Sequence, residues 1–249
     1  MEAIVLAAGF ATRLYPLTLN RAKPLLDVAG KAAIDHIMER LFELKEQGLS
    51  RVVVVSNSRF AADFQKHFGG AQPVEVQVVD NGAMSTADKL GAIGDMALGA
   101  SYVAPGEDFF VLAGDNLFDF SLGPMAERFG AVGGHPVVLL YSAVDLEEVK
   151  LYNNLELDED GRILDFVEKP STPRSLHFAT CIYLFSAGVR DALQGYLDQG
   201  LDPDKAGNFI KWLAKKQEVF TLDAEGRWFD VGSVAELEEA AAYFRTYTK

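Results

Sequence analysis

Ile4 to Ala7 is an unbroken apolar run that halts at Gly9, and no other feature restricts the fold as much. A strand apolar at every position is buried on both faces, which requires layers above and below the sheet that holds it. Further runs follow. Val52 to Val55, Val74 to Val79, Phe109 to Leu112 and Val137 to Tyr141 each read as a strand, with enough chain between successive runs for a helix. Between the first two strands, Ile34, Ile37, Met38, Leu41 and Phe42 share one helical stripe, which Gly48 ends. This rhythm predicts an α/β fold: a mostly parallel, twisted sheet with helices on both faces.

The second half changes character. Leu155, Leu157, Ile163 and Phe166 flank Asp158-Glu159-Asp160-Gly161, which predicts a hairpin and hence a small antiparallel insertion. Ala179 to Phe185 reads as a strand and Phe209 to Ala214 as a helix. Ser233-Val234-Ala235-Glu236 matches a capping box opening a last helix through Leu237, Ala241 and Phe244. With no repeat, low-complexity tract or linker, residues 1–249 are expected to form one domain.

Composition removes several classes. The formal net charge of -13, with no basic stripe, argues against a nucleic-acid partner. No stretch reaches the ~18 apolar residues of a membrane span, and the start of the chain lacks the pattern of a signal peptide. A single cysteine, Cys181, rules out an internal disulfide. A cytoplasmic protein is the expectation. His36, His67, His135 and His177 have no metal-ligand spacing and read as structural or surface residues.

The most informative segment runs Leu6-Ala7-Ala8-Gly9-Phe10-Ala11-Thr12-Arg13-Leu14-Tyr15-Pro16-Leu17-Thr18, followed by Lys23-Pro24-Leu25-Leu26. Small residues after a buried strand let backbone N–H groups approach a phosphate or a base. Arg13 offers a planar fork to phosphate oxygens, and Lys23 a compact charge. Taken alone, a glycine-containing segment of this kind is more often a glycine turn with two solvated cations. It is neither a Walker loop nor a dinucleotide G-x-G-x-x-G loop, which argues against a nicotinamide-dependent dehydrogenase. Gly114-Asp115-Asn116 puts a carboxylate at the carboxyl edge of a strand, where a metal ligand would stand, although a plain turn has the same composition. Asp230, set among Trp228, Phe229 and Val231, is costly to bury unless paired or metal-bound, or else it caps a helix.

These segments together resemble the sugar-phosphate nucleotidyltransferases, which include glucose-1-phosphate thymidylyl- and uridylyltransferases. The resemblance rests on the long Leu6–Leu26 signature with Gly30-Lys31, on Gly114-Asp115-Asn116, on Glu168-Lys169-Pro170 and on Trp228-Phe229-Asp230-Val231-Gly232, in that order. It implies a Rossmann-like fold and an enzyme joining a nucleoside triphosphate to a sugar 1-phosphate, with release of pyrophosphate. It implies that Leu6, Ala8, Gly9, Arg13, Lys23 and Thr86 meet the nucleotide, and that Asp115 and Asp230 hold Mg²⁺. On the acceptor side it implies Asn116, Asn153, Glu168, Lys169 and Thr180, with Arg13, Lys23 and Lys169 as the catalytic cations. Relatives of this kind are often oligomers, so a homo-oligomer is open.

The chain departs from the pattern at Ala11 and Ala22, where glycine and proline are common. It departs again at Tyr152-Asn153-Asn154, where asparagines able to adopt positive φ replace Gly-Val, and at Thr180-Cys181, where cysteine replaces glycine. Cys181 reads as a packed small residue rather than a nucleophile. Glu168 and Lys169 are also what a surface ion pair at a strand end looks like. As neighbours they point to opposite faces of a regular strand, so both serve one ligand only if the strand breaks there. Ser85 and Asp88 fit a helix cap, and the base stays open. Two other readings remain: a cytidylyltransferase for an alcohol phosphate such as phosphocholine or an inositol phosphate, and a nucleotide-sensing domain without turnover.

Overall fold

The structure, a computed structural model, describes residues 1–247; the last two residues of the expected 1–249 domain lie outside the described residues. The chain opens with β1 (Glu2–Leu6), a long loop, and a miniature hairpin of β2 (Asp27–Val28) and β3 (Lys31–Ala32). Then come α1 (Ala33–Phe42), β4 (Arg51–Ser56), α2 (Ala61–His67), β5 (Glu75–Asp80), α3 (Gly91–Tyr102) and β6 (Phe109–Ala113). Next are β7 (Asn116–Phe118), α4 (Gly123–Ala131), β8 (Val137–Ser142), α5 (Leu146–Val149), β9 (Asn153–Leu157) and β10 (Ile163–Glu168). The chain finishes with β11 (His177–Phe185), α6 (Val189–Leu197), α7 (Ala206–Leu213), β12 (Phe220–Asp223), β13 (Trp228–Asp230) and α8 (Val234–Thr246).

Seven strands form the central sheet in the order β12-β8-β11-β6-β1-β4-β5. All neighbours run parallel except β11, which lies antiparallel between β8 and β6. The apolar run of β1 now has its reason. Ala3 and Val5 enter a core that includes Ile34, Ile37, Phe178, Trp228 and Phe244, while Ile4 enters the opposite core with Ile93, Met96, Phe109, Phe185 and Phe209. Alternate side chains of one strand serve two layers, so every position must be apolar.

Ile34, Ile37, Met38 and Leu41 of α1 are buried as their spacing predicts, and Phe42 packs at the edge. The hairpin forms as β9 and β10, with Gly161 at φ +76 in its turn. Ser233 caps α8 by accepting from Glu236 N at 3.3 Å, but Glu236 reaches back to Gly232 N at 2.8 Å instead of the cap residue. Neither Asn153 nor Asn154 is among the residues with positive φ; both extend into β9. Among the described residues, no helix is long and apolar enough to cross a membrane.

Candidate active site at the carboxyl edge of the sheet

A cavity of about 600 Å³ opens over the carboxyl ends of β1 and β6, the place where open α/β sheets take ligands. Leu6, Ala8, Gly9, Arg13 and Lys23 line it, with Asp115 and Asp230. A side chain at Gly9 would meet no protein atom within 4 Å. Packing therefore does not require glycine there; its bare backbone leaves the cavity open. The Ala8 carbonyl is fixed from the end of β4 by Asn57 Nδ2 at 2.9 Å. Thr18 Oγ1 closes the loop on the Ala11 carbonyl at 2.8 Å. Ala11 itself sits at φ +47, a conformation that costs an alanine about 1 kcal/mol. The loop thus keeps the shape that glycine gives more cheaply. Arg13 is exposed, and among the described residues nothing hydrogen-bonds its guanidinium.

Asp115 and Asp230 are 115 positions apart in sequence, and the small antiparallel pair β7–β13 joins them. Asp230 lies opposite Asn116 in that register, and Val231 N donates to the Asp115 carbonyl at 3.1 Å. Lys23 Nζ then reaches across, 2.5 Å from Asp115 Oδ2 and 2.5 Å from the Val231 carbonyl. Burial pushes the Asp230 carboxyl up to about 7, and the charge of Asp115 adds to this, against the pull of Lys23. Among the described residues nothing donates to the Asp230 side chain. Two hard oxygen donors, one without a partner in the protein, suit a divalent cation that takes its remaining ligands from phosphate and water. No group of three or more His, Cys, Asp or Glu side chains gathers as a metal cluster among the described residues.

Three expected substrate contacts are engaged inside the protein. Asn116 is buried; its Nδ2 donates to Asp115 Oδ1 at 3.2 Å while its Oδ1 accepts from Trp228 Nε1 at 3.2 Å. It orients a carboxylate from behind. Asn153 exchanges both amide atoms with the Ala179 backbone, at 3.0 and 2.7 Å, and Thr180 Oγ1 donates to the Leu139 carbonyl at 3.0 Å. Side chains buried with their polar atoms satisfied are not available to a ligand.

Glu168 ends β10, and Lys169 turns to φ +45. The strand does break between them, as a shared role requires. Neither lines the cavity wall, whereas Lys205 does. Burial raises the Glu168 carboxyl, and Lys205, Lys169 and Lys211 draw it back down. Its Oε1 rests where a side chain at Gly207 would stand, 2.0 Å from a Cβ there. Cys181 lines the cavity, but burial and the charge of Asp115 push its thiol up to about 12. It stays protonated, as a packing residue would.

Thr86 is exposed on the cavity wall, in a turn tied by Asp88. Asp88 accepts from Met84 N, Ser85 N and Ser85 Oγ at 2.9, 2.8 and 2.6 Å. These bonds, the Ser85 hydroxyl first, hold its carboxyl down at about 2. The pair does not cap α3, which begins only at Gly91. The motifs did not point to Lys89, paired with Asp204 at 2.6 Å, to Lys205, or to Asp95. The signal for Asp95 was present: a carboxylate between Ile93 and Met96, both fully buried.

Burial pushes Asp95 up to about 6, with only a hydrogen bond from Asn81 opposing it. The folded chain therefore holds this proton more tightly than the unfolded chain. The stability it adds is complete below about pH 4 and is lost as pH rises through about 6. Asp95→Asn is expected to remove this dependence and to raise stability near pH 8 by up to about 3 kcal/mol. Urea unfolding at about pH 5 and about pH 8 checks it. A variant no more stable than the parent at the higher pH would contradict it.

Residues 2–246 match the nucleotidyl transferase family. The mannose-1-phosphate guanylyltransferase catalytic subunit beta of Dictyostelium discoideum is 29% identical over 93% of this chain and 61% of its own length. The UTP–glucose-1-phosphate uridylyltransferase of a Synechocystis species is 29% identical over 96% of this chain and 62% of its own. The chain thus spans about three fifths of the length of these curated relatives. A crystal structure from Bacillus anthracis, assigned as a glucose-1-phosphate thymidylyltransferase, superposes with a TM-score of 0.80 at 25% identity, over 100% of this chain and 97% of that one. A UDP-glucose pyrophosphorylase complexed with UDP-glucose has the same fold, with a TM-score of 0.81 at 21% identity over 99% of each chain. Joined to a cavity that gathers the glycine loop, its two cations and two distant aspartates, the match over nearly the whole length means that this chain belongs to the nucleotidyl transferase family.

Proposed function

We propose that this chain joins a nucleoside triphosphate to a sugar 1-phosphate, releasing pyrophosphate and an NDP-sugar. The observation that carries the reading is the bridge of Lys23 between Asp115 and the Val231 carbonyl, beside Asp230 and in one cavity with Arg13. Cations and carboxylates from both ends and the middle of the sequence meet where two phosphorylated molecules must be brought together.

An acceptor phosphate monoester is mostly dianionic at neutral pH, because its second pKa is about 6. It needs no general base. Its oxygen attacks the α-phosphorus, the bond from that phosphorus to the bridging oxygen breaks, and pyrophosphate leaves with the electron pair. Repulsion between the anions is the obstacle, so positioning and neutralisation supply most of the catalysis. Arg13 and Lys23 hold the triphosphate. Lys169, with Lys205 nearer the cavity, receives the acceptor phosphate, and Glu168 accepts from sugar hydroxyls. Asp115 and Asp230 would hold Mg²⁺, which when bound neutralises charge shared by the two substrates.

The test is pyrophosphate release from GTP, ATP, CTP, UTP and dTTP, each with glucose 1-phosphate, mannose 1-phosphate, phosphocholine and an inositol phosphate. Release with a sugar 1-phosphate is expected. Release with phosphocholine or inositol phosphate alone would replace the reading with an alcohol-phosphate cytidylyltransferase. Tight triphosphate binding without release from any acceptor would replace it with a sensor.

A further inference from the structure

The carboxyl edge of the sheet gives the cavity a direction. Asp115 follows β6, the glycine loop follows β1, Asn57 follows β4 and Asn81 follows β5, and these four strands are neighbours in that order. At ~4.8 Å per strand, β6 and β5 lie about 14 Å apart, a distance comparable with the length of a nucleotide. With phosphates at Arg13, Lys23 and Asp115, the base falls toward β4 and β5. Asp95 stands there. It lines the cavity from α3 beside Gly91 and Ala92.

Asp95 is 8% exposed. Its Oδ1 accepts from Asn81 Nδ2 at 2.7 Å, and the Asn81 Oδ1 is itself fixed by Ala83 N at 2.9 Å. Among the described residues nothing donates to Asp95 Oδ2, and no cation pairs with the carboxylate. Asp95 Oδ2 is not buried without a partner but opens on the cavity, where the donors of a ligand can take the place of water.

We propose that Asp95, aimed by Asn81, reads the base of the donor nucleotide and selects guanine. This rests on the nucleotidyl-transfer reading above. Guanine presents N1–H and N2–H₂ side by side, two donors for one carboxylate. Adenine and cytosine place a ring-nitrogen acceptor beside their single amine, and that lone pair repels a carboxylate. Uracil and thymine offer one N–H between two carbonyls. A site that leaves a buried polar group unpaired rejects the wrong ligand strongly.

Calorimetric titration with GTP, ATP, CTP, UTP and dTTP in the presence of Mg²⁺ tests this without any acceptor. GTP is expected to bind at least about 10-fold more tightly than the others. Asp95→Asn keeps an acceptor for Asn81 but turns an N–H toward the base. It is expected to lose about 10- to 100-fold in GTP affinity and to gain affinity for xanthosine triphosphate, whose C2 carbonyl accepts that N–H. Any other base ranking first in the wild type, or an unchanged ranking in Asp95→Asn, overturns the assignment and leaves nucleotidyl transfer standing. Binding of none of the five triphosphates overturns both.

Discussion

Lys23→Ala is expected to lose about 10²- to 10³-fold in turnover, as the removal of a single charge-stabilising group from a closed site does, while the chain still folds. Two effects act together. The donor triphosphate loses a cation, and Asp115 loses the ammonium 2.5 Å from its Oδ2. Two neighbouring carboxylates are then left without their shared counter-charge, and Asp230, already pushed up to about 7, is driven further toward its protonated form. The lysine side chain is only 13% exposed and bridges Asp115 to the Val231 carbonyl, so its loss should also lower stability by about 1–3 kcal/mol. Pyrophosphate release under saturating substrates, with a urea melt as control, measures both. A rate within about threefold of wild type would remove Lys23 from the chemistry.

Phe178→Ala is expected to cost about 3–5 kcal/mol of stability, the range for deleting a fully buried aromatic ring. Phe178 is 0% exposed. It stacks on Tyr152 with centroids 4.4 Å apart and rings within 9° of parallel, and it meets Trp228 edge-on at 5.4 Å. Tyr152 leads into β9, Phe178 belongs to β11 and Trp228 begins β13. One ring therefore ties the antiparallel insertion to the main sheet and to the strand that carries Asp230. The urea midpoint should fall with little change in slope. A loss below about 1 kcal/mol would mean that the cluster closes around the gap, and the clamp would have to be sought elsewhere.

The strands β1, β4, β6 and β8 and the helix α1 were legible because they follow from local periodicity: a layer burying both faces of a strand leaves no position polar. The glycine loop, Arg13, Lys23, Asp115 and Asp230 were legible because their motifs are long and ordered. Asn116 sits in one of these motifs, and Asn153 and Thr180 where the chain departs from the family pattern; neither setting distinguishes a side chain that touches the substrate from one that holds the wall behind it. The structure distinguishes them by their hydrogen bonds to Trp228, Ala179 and Leu139.

The sequence by itself determined a layered α/β chain whose first strand runs into a small-residue loop carrying two cations, since period, glycine placement and charge type are local properties. Only the tertiary structure decided that β11 enters the sheet antiparallel between β8 and β6, and that β7 and β13 bring Asp115 beside Asp230 under Lys23. It alone turned Asp95 from a charge in an apolar helix into a carboxylate lining the cavity. Pairing between segments distant in the chain is settled by which backbone groups and buried charges find partners once the layers close, and no window of neighbouring residues contains that information.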